Sequence, residues 1–235
     1  KTALSSAWEH LVREDEGLIL LFDPPFNQTV PSPGYIQGYP PGVRENGGQY
    51  THAALWLVLA MARSGDGTRA GRMMRMLNPV EHTRDPGSVW RYGTEPYVIA
   101  ADVYRLPGRT GQGGWSWYTG SAGLMYRVWV EDILGLRVRG ETMEIVPVIP
   151  EWWDGFTLTY RHGDAIYEIH VENPYHCERG VTRVVMDGRP MRDGIIPLVR
   201  DLVKHRIVVR MEKSNVPDAS SSTSVDGGYA TGTVS

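Results

Sequence analysis

The chain has 235 residues, with 24 Lys and Arg against 27 Asp and Glu, a formal net charge of -3 when histidine is neutral. That near balance excludes a nucleic-acid binder working by broad phosphate neutralisation, and 41 % apolar with 22 % charged residues excludes a mostly disordered chain. No apolar run approaches the ~20 residues that span a bilayer, and the single Cys177 excludes an internal disulfide and a multi-cysteine zinc site.

In chain order, Leu4, Ala7, Trp8 and Leu11 recur at helical spacing and predict an amphipathic helix over residues 2–14, ended by Gly17. An N-terminus of that kind does not read as a signal peptide, and with the lone cysteine it favours a cytoplasmic location. Residues 23–48 form a long Pro- and Gly-rich loop, a length that in a compact domain usually carries function. Helix is predicted again over residues 49–63, with Ala53, Leu55, Trp56, Leu59 and Ala60 apolar. Asp66 caps a helix over residues 68–77 that Asn78-Pro79 stops. A short helix is expected over residues 95–104, and a longer one over residues 119–134, closed by Gly135.

The pattern changes at Gly135. Runs at residues 142–148, 156–161, 165–172, 181–186, 195–198 and 205–211 alternate or are β-branched. Gly163-Asp164 and Asp187-Gly188 supply hairpin turns between them. This predicts an antiparallel β-domain of six or seven strands over residues 136–212, followed by a disordered Ser/Thr/Gly-rich tail over residues 213–235.

Chemistry concentrates in two segments. In Gly42-Val43-Arg44-Glu45-Asn46-Gly47-Gly48-Gln49-Tyr50-Thr51-His52, the polar side chains Arg44, Glu45, Asn46, Gln49 and His52 fall within nine positions at the end of the long loop and the start of a helix. Gln49 and His52, three apart, would share a helix face, and a histidine at a helix N-terminus is well placed for an anion. The plainer alternative is a capping network, with Asn46 and Thr51 satisfying backbone groups and His52 in the core. The second segment is Gly113-Gly114-Trp115-Ser116-Trp117-Tyr118-Thr119-Gly120-Ser121-Ala122-Gly123. The amides and the hydroxyls of Thr119 and Ser121 could wrap an oxyanion beside the flat faces of Trp115 and Trp117; close helix packing is the alternative. Between them Glu95 is a sugar-hydroxyl ligand or a first-turn acid. Eight Trp and 12 Tyr against three Phe fit sites that are apolar on one side and wet on the other, as in sugar binding. His82, His162, His170, His176 and His205 show no metal-ligand spacing. Cys177 reads as structural, and neither a nucleophile elbow nor a dinucleotide fingerprint is present.

Gly34-Tyr35-Ile36, the run Tyr39-Pro40-Pro41 through His52-Ala53-Ala54, Glu95-Pro96-Tyr97-Val98 and the 113–123 segment together resemble glycoside hydrolase family 94, which includes the cellobiose and chitobiose phosphorylases. The resemblance runs over residues 1–211. Within the family, the wording from Leu11-Val12-Arg13 onward is most similar to the C-terminal region of the cyclic β-1,2-glucan synthase branch, with the β-1,2-oligoglucan phosphorylases next. The resemblance implies a multi-domain α plus β protein. Residues 1–135 would hold the later helices of an (α/α)6 barrel, and residues 136–212 a C-terminal antiparallel β-sandwich-like domain. It also implies that His52, Thr119, Gly120 and Ser121 hold phosphate, the co-substrate, and that Arg44, Glu45, Gln49, Glu95 and Trp117 contact a β-glucan oligosaccharide. No metal or organic cofactor is implied. The family's general-acid Asp lies in an earlier part of the barrel and matches nothing here, so no catalytic residue is assigned within these residues. A partner is implied in its place, either the N-terminal part of the barrel or a second copy. Two other readings stay open: a phosphate-independent hydrolase using Glu45 with Glu95 or Asp102, and a non-catalytic carbohydrate-binding or assembly module.

Overall fold

The structure is a computed structural model that describes residues 2–117 and 119–213. The tail expected over residues 213–235 therefore lies, but for Lys213, outside the described residues, as does Tyr118.

Helix α1 (Thr2–Leu11) is shorter than its apolar pattern predicts, because the chain turns at residues 14–17 into a small antiparallel ladder of β1 (Val12–Arg13) and β2 (Leu18–Ile19). Gly17, at φ +68°, takes the left-handed position of that turn rather than a helix cap. Residues 23–48 do form a long connection, interrupted by one 3-10 turn at Gly34–Gly38. Its shape comes from the buried Asn46, whose side chain accepts from Phe26 N (2.7 Å) and donates to Phe26 O and Tyr39 O (2.8 Å each). One amide thus replaces the hydrogen bonds that a strand or helix would have supplied to the loop backbone.

The next segment corrects an expectation. Gln49 and Tyr50 are strand β3 (Gln49–Tyr50), not the first turn of a helix, and α2 (Thr51–Ser64) starts two residues later. Gln49 and His52 therefore do not share a helix face. Gly65, at φ +87°, ends α2 in a left-handed C-cap, and Asp66 caps α3 (Gly67–Leu77) by accepting from Arg69 N at 3.0 Å. Helix α4 (Pro86–Tyr92) went unpredicted, although Asp85 at N-cap, Pro86 at N1 and Gly93 at φ +64° are all start and stop signals. The helix expected over residues 95–104 is absent. That stretch begins as a turn, with Val98 N donating to Glu95 O at 3.0 Å, and then supplies β4 (Asp102–Val103), which pairs with β3 in the register Gln49 to Val103 and Tyr50 to Asp102. Helix α5 (Thr119–Arg127) then widens into a π-helix at Val128–Ile133, a form that recurs at functional helices. Gly135 follows at φ +75°, packed so closely that a Cβ there would lie 2.1 Å from Val146 O.

Beyond it, β5 (Leu136–Arg139) and β6 (Thr142–Ile145) form a hairpin. Next in the chain come β7 (Gly155–His162), β8 (Ala165–Glu172), β9 (Val181–Met186), β10 (Arg189–Pro190), β11 (Ile196–Pro197) and β12 (Lys204–Met211). The two turn signals hold: β7 and β8 are joined at Gly163-Asp164, and β9 and β10 at Asp187-Gly188, where both residues have positive φ as a type I′ turn requires. A five-stranded sheet has the order β10-β9-β12-β8-β7, and a three-stranded one the order β11-β6-β5. The larger sheet is mixed, not wholly antiparallel, since β12 runs parallel to β8 from Lys204 opposite Ile166 to Arg210 opposite Glu172. Alternation could not reveal this: β8 buries Ala165, Tyr167, Ile169 and Val171, β12 buries His205, Ile207, Val209 and Met211, and a period of two is blind to strand direction.

A single cluster of buried residues runs from α2 and α3 (Leu55, Val58, Met61, Met73, Met74) through Ile133 of the π-helix to Met143, Ile169, Ile207 and Val209 of the sheets. Cys177 is buried inside this core, where its N–H and thiol both meet Asn173 Oδ1.

Candidate functional site

The ladder of β3 and β4 joins the polar segments. Thr51 N donates to Ala101 O at 3.0 Å and Thr51 Oγ1 to Ala100 O at 2.7 Å, so the start of α2 is tied to the 95–104 stretch. Ala101 N donates in turn to Trp115 O at 2.7 Å, and Val103 bridges Gly113. Residues 44–52, 95–103 and 113–121 thereby lie side by side, in three neighbouring groups.

The first group surrounds Arg44, held at φ +50°. Its guanidinium carbon lies 4.5 Å from the Trp115 ring centroid, 5.6 Å from Tyr39 and 6.0 Å from Tyr50, an aromatic box that suits a delocalised cation. Glu45 Oε2 stands 3.6 Å from Arg44 Nε. Asp102, only 1 % exposed, accepts from Trp115 N through Oδ1 at 3.2 Å. Gly114 makes this approach possible, because a Cβ there would fall 2.4 Å from Asp102 Oδ1. Asp102 Oδ2, Glu45 Oε2 and Arg44 Nε and Nη1 are buried with no hydrogen bond among the described residues. Burial lowers the Arg44 pKa, but Asp102 and Glu45 outweigh it and raise the value. Burial pushes the Asp102 carboxyl up, against the pull of Trp115 N–H and Arg44. Two carboxyls and one guanidinium with spare donors and acceptors can receive the hydroxyls of a polyol.

The second group is an exposed rim. Trp117 donates from Nε1 to Glu95 Oε1 at 2.6 Å, and its ring meets Tyr97 edge-on at 6.3 Å between centroids. The Trp117 indole and then the Glu95 N–H and Ser116 hydroxyl hold the Glu95 carboxyl below its ordinary range, so it is an anion near neutrality.

The third group is at the start of α5. The ring of His52, half-buried and stacked on Trp56, has Nδ1 3.9 Å from where a Cβ on Gly120 would stand. Thr119 and Gly120 are exposed, whereas Ser121 is buried. A histidine ring and the first-turn amides of α5 thus share one side of the site, an arrangement suited to an anion.

Of the expected site residues the structure therefore pairs Arg44 with Glu45, Trp117 with Glu95, and His52 with the start of α5 at Gly120, while Ser121 is buried. It does not bring in Gln49, which is 1 % exposed and whose Oε1 accepts from Ile19 N at 2.9 Å, a backbone-holding role. The capping alternative also holds in part, since Asn46 and Thr51 do satisfy backbone groups while His52 stays outside the core. Sequence reading missed Asp102 as the partner of Arg44, and with it Tyr39 and Tyr50. The signal available was Gly113-Gly114, whose missing side chains make room for a neighbour. Among the described residues no group of three His, Cys, Asp or Glu is arranged to hold a metal ion, and no helix is long and apolar enough to cross a membrane.

Comparison with known proteins matches this region. The family model described as the glycosyl hydrolase 94 superfamily, catalytic domain, covers residues 1–135. Cyclic beta-(1,2)-glucan synthase NdvB of Rhizobium meliloti is 48 % identical over 72 % of this chain and 6 % of its own length. Solabiose phosphorylase of Paenibacillus borealis is 27 % identical over 82 % of this chain and 25 % of its own. N,N'-diacetylchitobiose phosphorylase of Vibrio proteolyticus is 30 % identical over 79 % of this chain and 23 % of its own. The chain thus spans a quarter or less of the length of these relatives. The matched residues carry all three groups of side chains described above, and the chain belongs to the glycosyl hydrolase 94 superfamily.

Proposed function

We propose that this chain is the phosphate- and sugar-binding C-terminal part of an enzyme that phosphorolyses β-glucan. The reaction is inverting and reversible: phosphate attacks the anomeric carbon from the face opposite the leaving sugar, giving α-glucose 1-phosphate and a glucan shorter by one ring. The observation that carries the reading is the approach of His52 to the start of α5, beside an Arg44–Glu45–Asp102 cluster with unused hydrogen-bonding groups. His52, Thr119 and Gly120 hold the phosphate, with the buried Ser121 behind them in the first turn of α5, and Arg44, Glu45, Glu95 and Trp117 hold sugar hydroxyls and faces. Gln49 contributes by fixing β2 against β3. The β-1,2 linkage is supported by the relative that makes cyclic β-(1,2)-glucan.

An inverting phosphorolysis also needs an acid on the leaving oxygen. Glu95 is a poor candidate because Trp117 keeps it ionised. The acid comes from a partner, the earlier helices of the (α/α)6 barrel or a second copy, and residues 1–135 and 136–212 form the barrel portion and the C-terminal β-domain. A cytoplasmic location is part of this reading, supported by the single cysteine. The test is release of α-glucose 1-phosphate from linear β-1,2-glucan by the chain, alone and with the upstream barrel portion supplied in trans. Phosphate-dependent release by the complemented protein is expected. Reducing sugar released without phosphate, and lost in Glu95→Gln, would instead establish the hydrolase reading. Glucan binding with no turnover under either condition would leave a binding module.

A further inference from the structure

Arg105, two residues past β4, meets the long loop of residues 23–48 at both ends of the part that precedes Arg44. At the outgoing end its side chain forks: Nε and Nη2 donate to Glu16 at 2.9 and 3.2 Å, and Nη1 donates to Asp23 Oδ1 at 3.3 Å. Glu16 stands in the turn between β1 and β2, Asp23 is where the loop leaves, and Asp23 Oδ2 also takes Arg13 of β1. At the returning end the Arg105 backbone N–H donates to Gly42 O at 2.8 Å. Gly42, at φ +89°, approaches so closely that a Cβ there would fall 2.3 Å from Arg105 O. An isolated exposed ion pair contributes little to a fold. Two arginines and two carboxylates whose side chains are 24 to 28 % exposed, joined through a forked guanidinium, form the kind of network that does contribute.

Between those ends the loop is fastened to itself. Among the described residues, residues 27–38 hydrogen-bond only within the loop: Gln37 Nε2 donates to Asn27 O at 2.6 Å, and Gly34 N to Ser32 Oγ at 3.3 Å. Their flanks, Phe26 and Tyr39, are joined by Asn46, itself part of the loop. Two residues after Gly42 comes Arg44, with its guanidinium over Trp115, and then Glu45. Arg44 thus takes its place from Gly42, and Gly42 from Arg105. We infer that Arg105 is a positioning residue for the sugar-binding face of the site: it clamps both ends of the loop and so sets where Arg44 and Glu45 stand, without touching the ligand. The inference rests on the sugar-binding reading of Arg44 and Glu45 above and deepens it, for it makes the binding of an uncharged sugar depend on an ion network outside the site.

The test combines amide hydrogen exchange of the full chain with calorimetric titration of linear β-1,2-linked gluco-oligosaccharides and, separately, of inorganic phosphate. In Arg105→Gln the loop amides of Phe26, Gly42, Val43 and Asn46 should exchange about tenfold faster, while those of α3 keep their wild-type rates. Oligosaccharide affinity should fall about five- to tenfold, and phosphate affinity should not change. Arg105→Lys should recover only part of the loss, because one ammonium cannot fork between Glu16 and Asp23. Glu16→Gln, which keeps Arg105 and its backbone contacts, should show the same selective pattern in smaller measure, and it decides the matter if Arg105→Gln does not fold. Arg84→Gln, which breaks an exposed pair with Glu81 elsewhere, should change nothing. Faster exchange spread evenly over the loop and α3 is general destabilisation and overturns the clamp. So does a loop that exchanges at the wild-type rate in both Arg105→Gln and Glu16→Gln, or a loosened loop with unchanged oligosaccharide affinity. A folded wild type that binds no oligosaccharide, even with the upstream barrel portion supplied in trans, overturns the glucan reading instead, and the exchange pattern alone then decides the clamp.

Discussion

Asp102 does the most at the scale of a single residue, since it anchors Trp115 through the backbone and faces Arg44 through its charge. Replacing it by Ala leaves the partly buried Trp115 N–H without its carboxylate acceptor and removes one of the two carboxylates, with Glu45, that face Arg44, a loss of about 1–3 kcal/mol of stability. Asp102→Asn keeps an acceptor for Trp115 and removes only the charge. Because burial raises the Asp102 carboxyl, ionising it costs more in the folded chain than in the unfolded one. Relative to Asp102→Asn, the wild type should lose stability as pH rises from about 3.9, the ordinary Asp value, through the raised one, and stay level above it. Denaturant titrations of the two proteins across that range measure this, and a pH-independent difference would contradict it. Arg44 and Glu45 were legible in the sequence because charged side chains packed among glycines have few structural reasons to be there. Asp102 was named only as an alternative acid or base, and its place beside Arg44 was hidden by an apparently helical stretch; Gln49 misled because a buried amide serving one backbone N–H looks, in sequence, like a sugar ligand.

At the scale of elements, local signals succeeded where they name a local geometry and failed where a distant partner decides. The Asp66 cap, the Gly135 stop and both two-residue hairpins needed only neighbouring residues. Residues 95–104 have fair helical spacing, but pairing with Gln49 and Tyr50 and the bonds to Trp115 and Gln112 draw residues 101–104 out into an extended segment after a turn at 95–98. One element-level device lay outside any motif. His205 on β12, 7 % exposed, has Nδ1 2.8 Å from Asp187 Oδ2 in the β9–β10 turn and Nε2 3.1 Å from Asp201 Oδ1, with the Tyr167 ring at 5.0 Å. Burial alone would lower the His205 pKa, but the two carboxylates override it and raise it, so the imidazolium clasps turn and strand together. A raised histidine stabilises fully below its unfolded value of about 6.5 and loses that contribution as pH rises through the folded one. The lower limit of the window is set by Asp187, whose carboxyl burial would raise but His205 and Arg206 N–H hold below the ordinary range. Wild type should therefore lose stability above about pH 6.5 relative to a Asp187→Asn/Asp201→Asn double variant. Parallel melting curves would show this, and identical pH profiles would refute it.

At the scale of the whole molecule, the larger of two buried clusters among the described residues connects helices to sheets, and a smaller one of Leu18, Leu20, Tyr92, Ala100 and Val103 lies under the β2–β3–β4 strands that carry the site. Large aromatic side chains nevertheless stay exposed on the helices beside the site, among them Trp56 at 58 % and Tyr126 at 69 %, next to the solvent-facing Tyr97, Trp115 and Trp117. Together with a span of a quarter or less of its relatives' lengths, this fits the proposed role as part of a larger barrel. The central claim is that His52 and the start of α5 make a phosphate site, and isothermal titration of inorganic phosphate into the chain beside its His52→Ala variant tests it most directly. Saturable binding by the wild type that His52→Ala loses, with both proteins folded, is the predicted result. Equal binding by the two proteins, or none by a wild type supplied in trans with the upstream barrel portion, would contradict it.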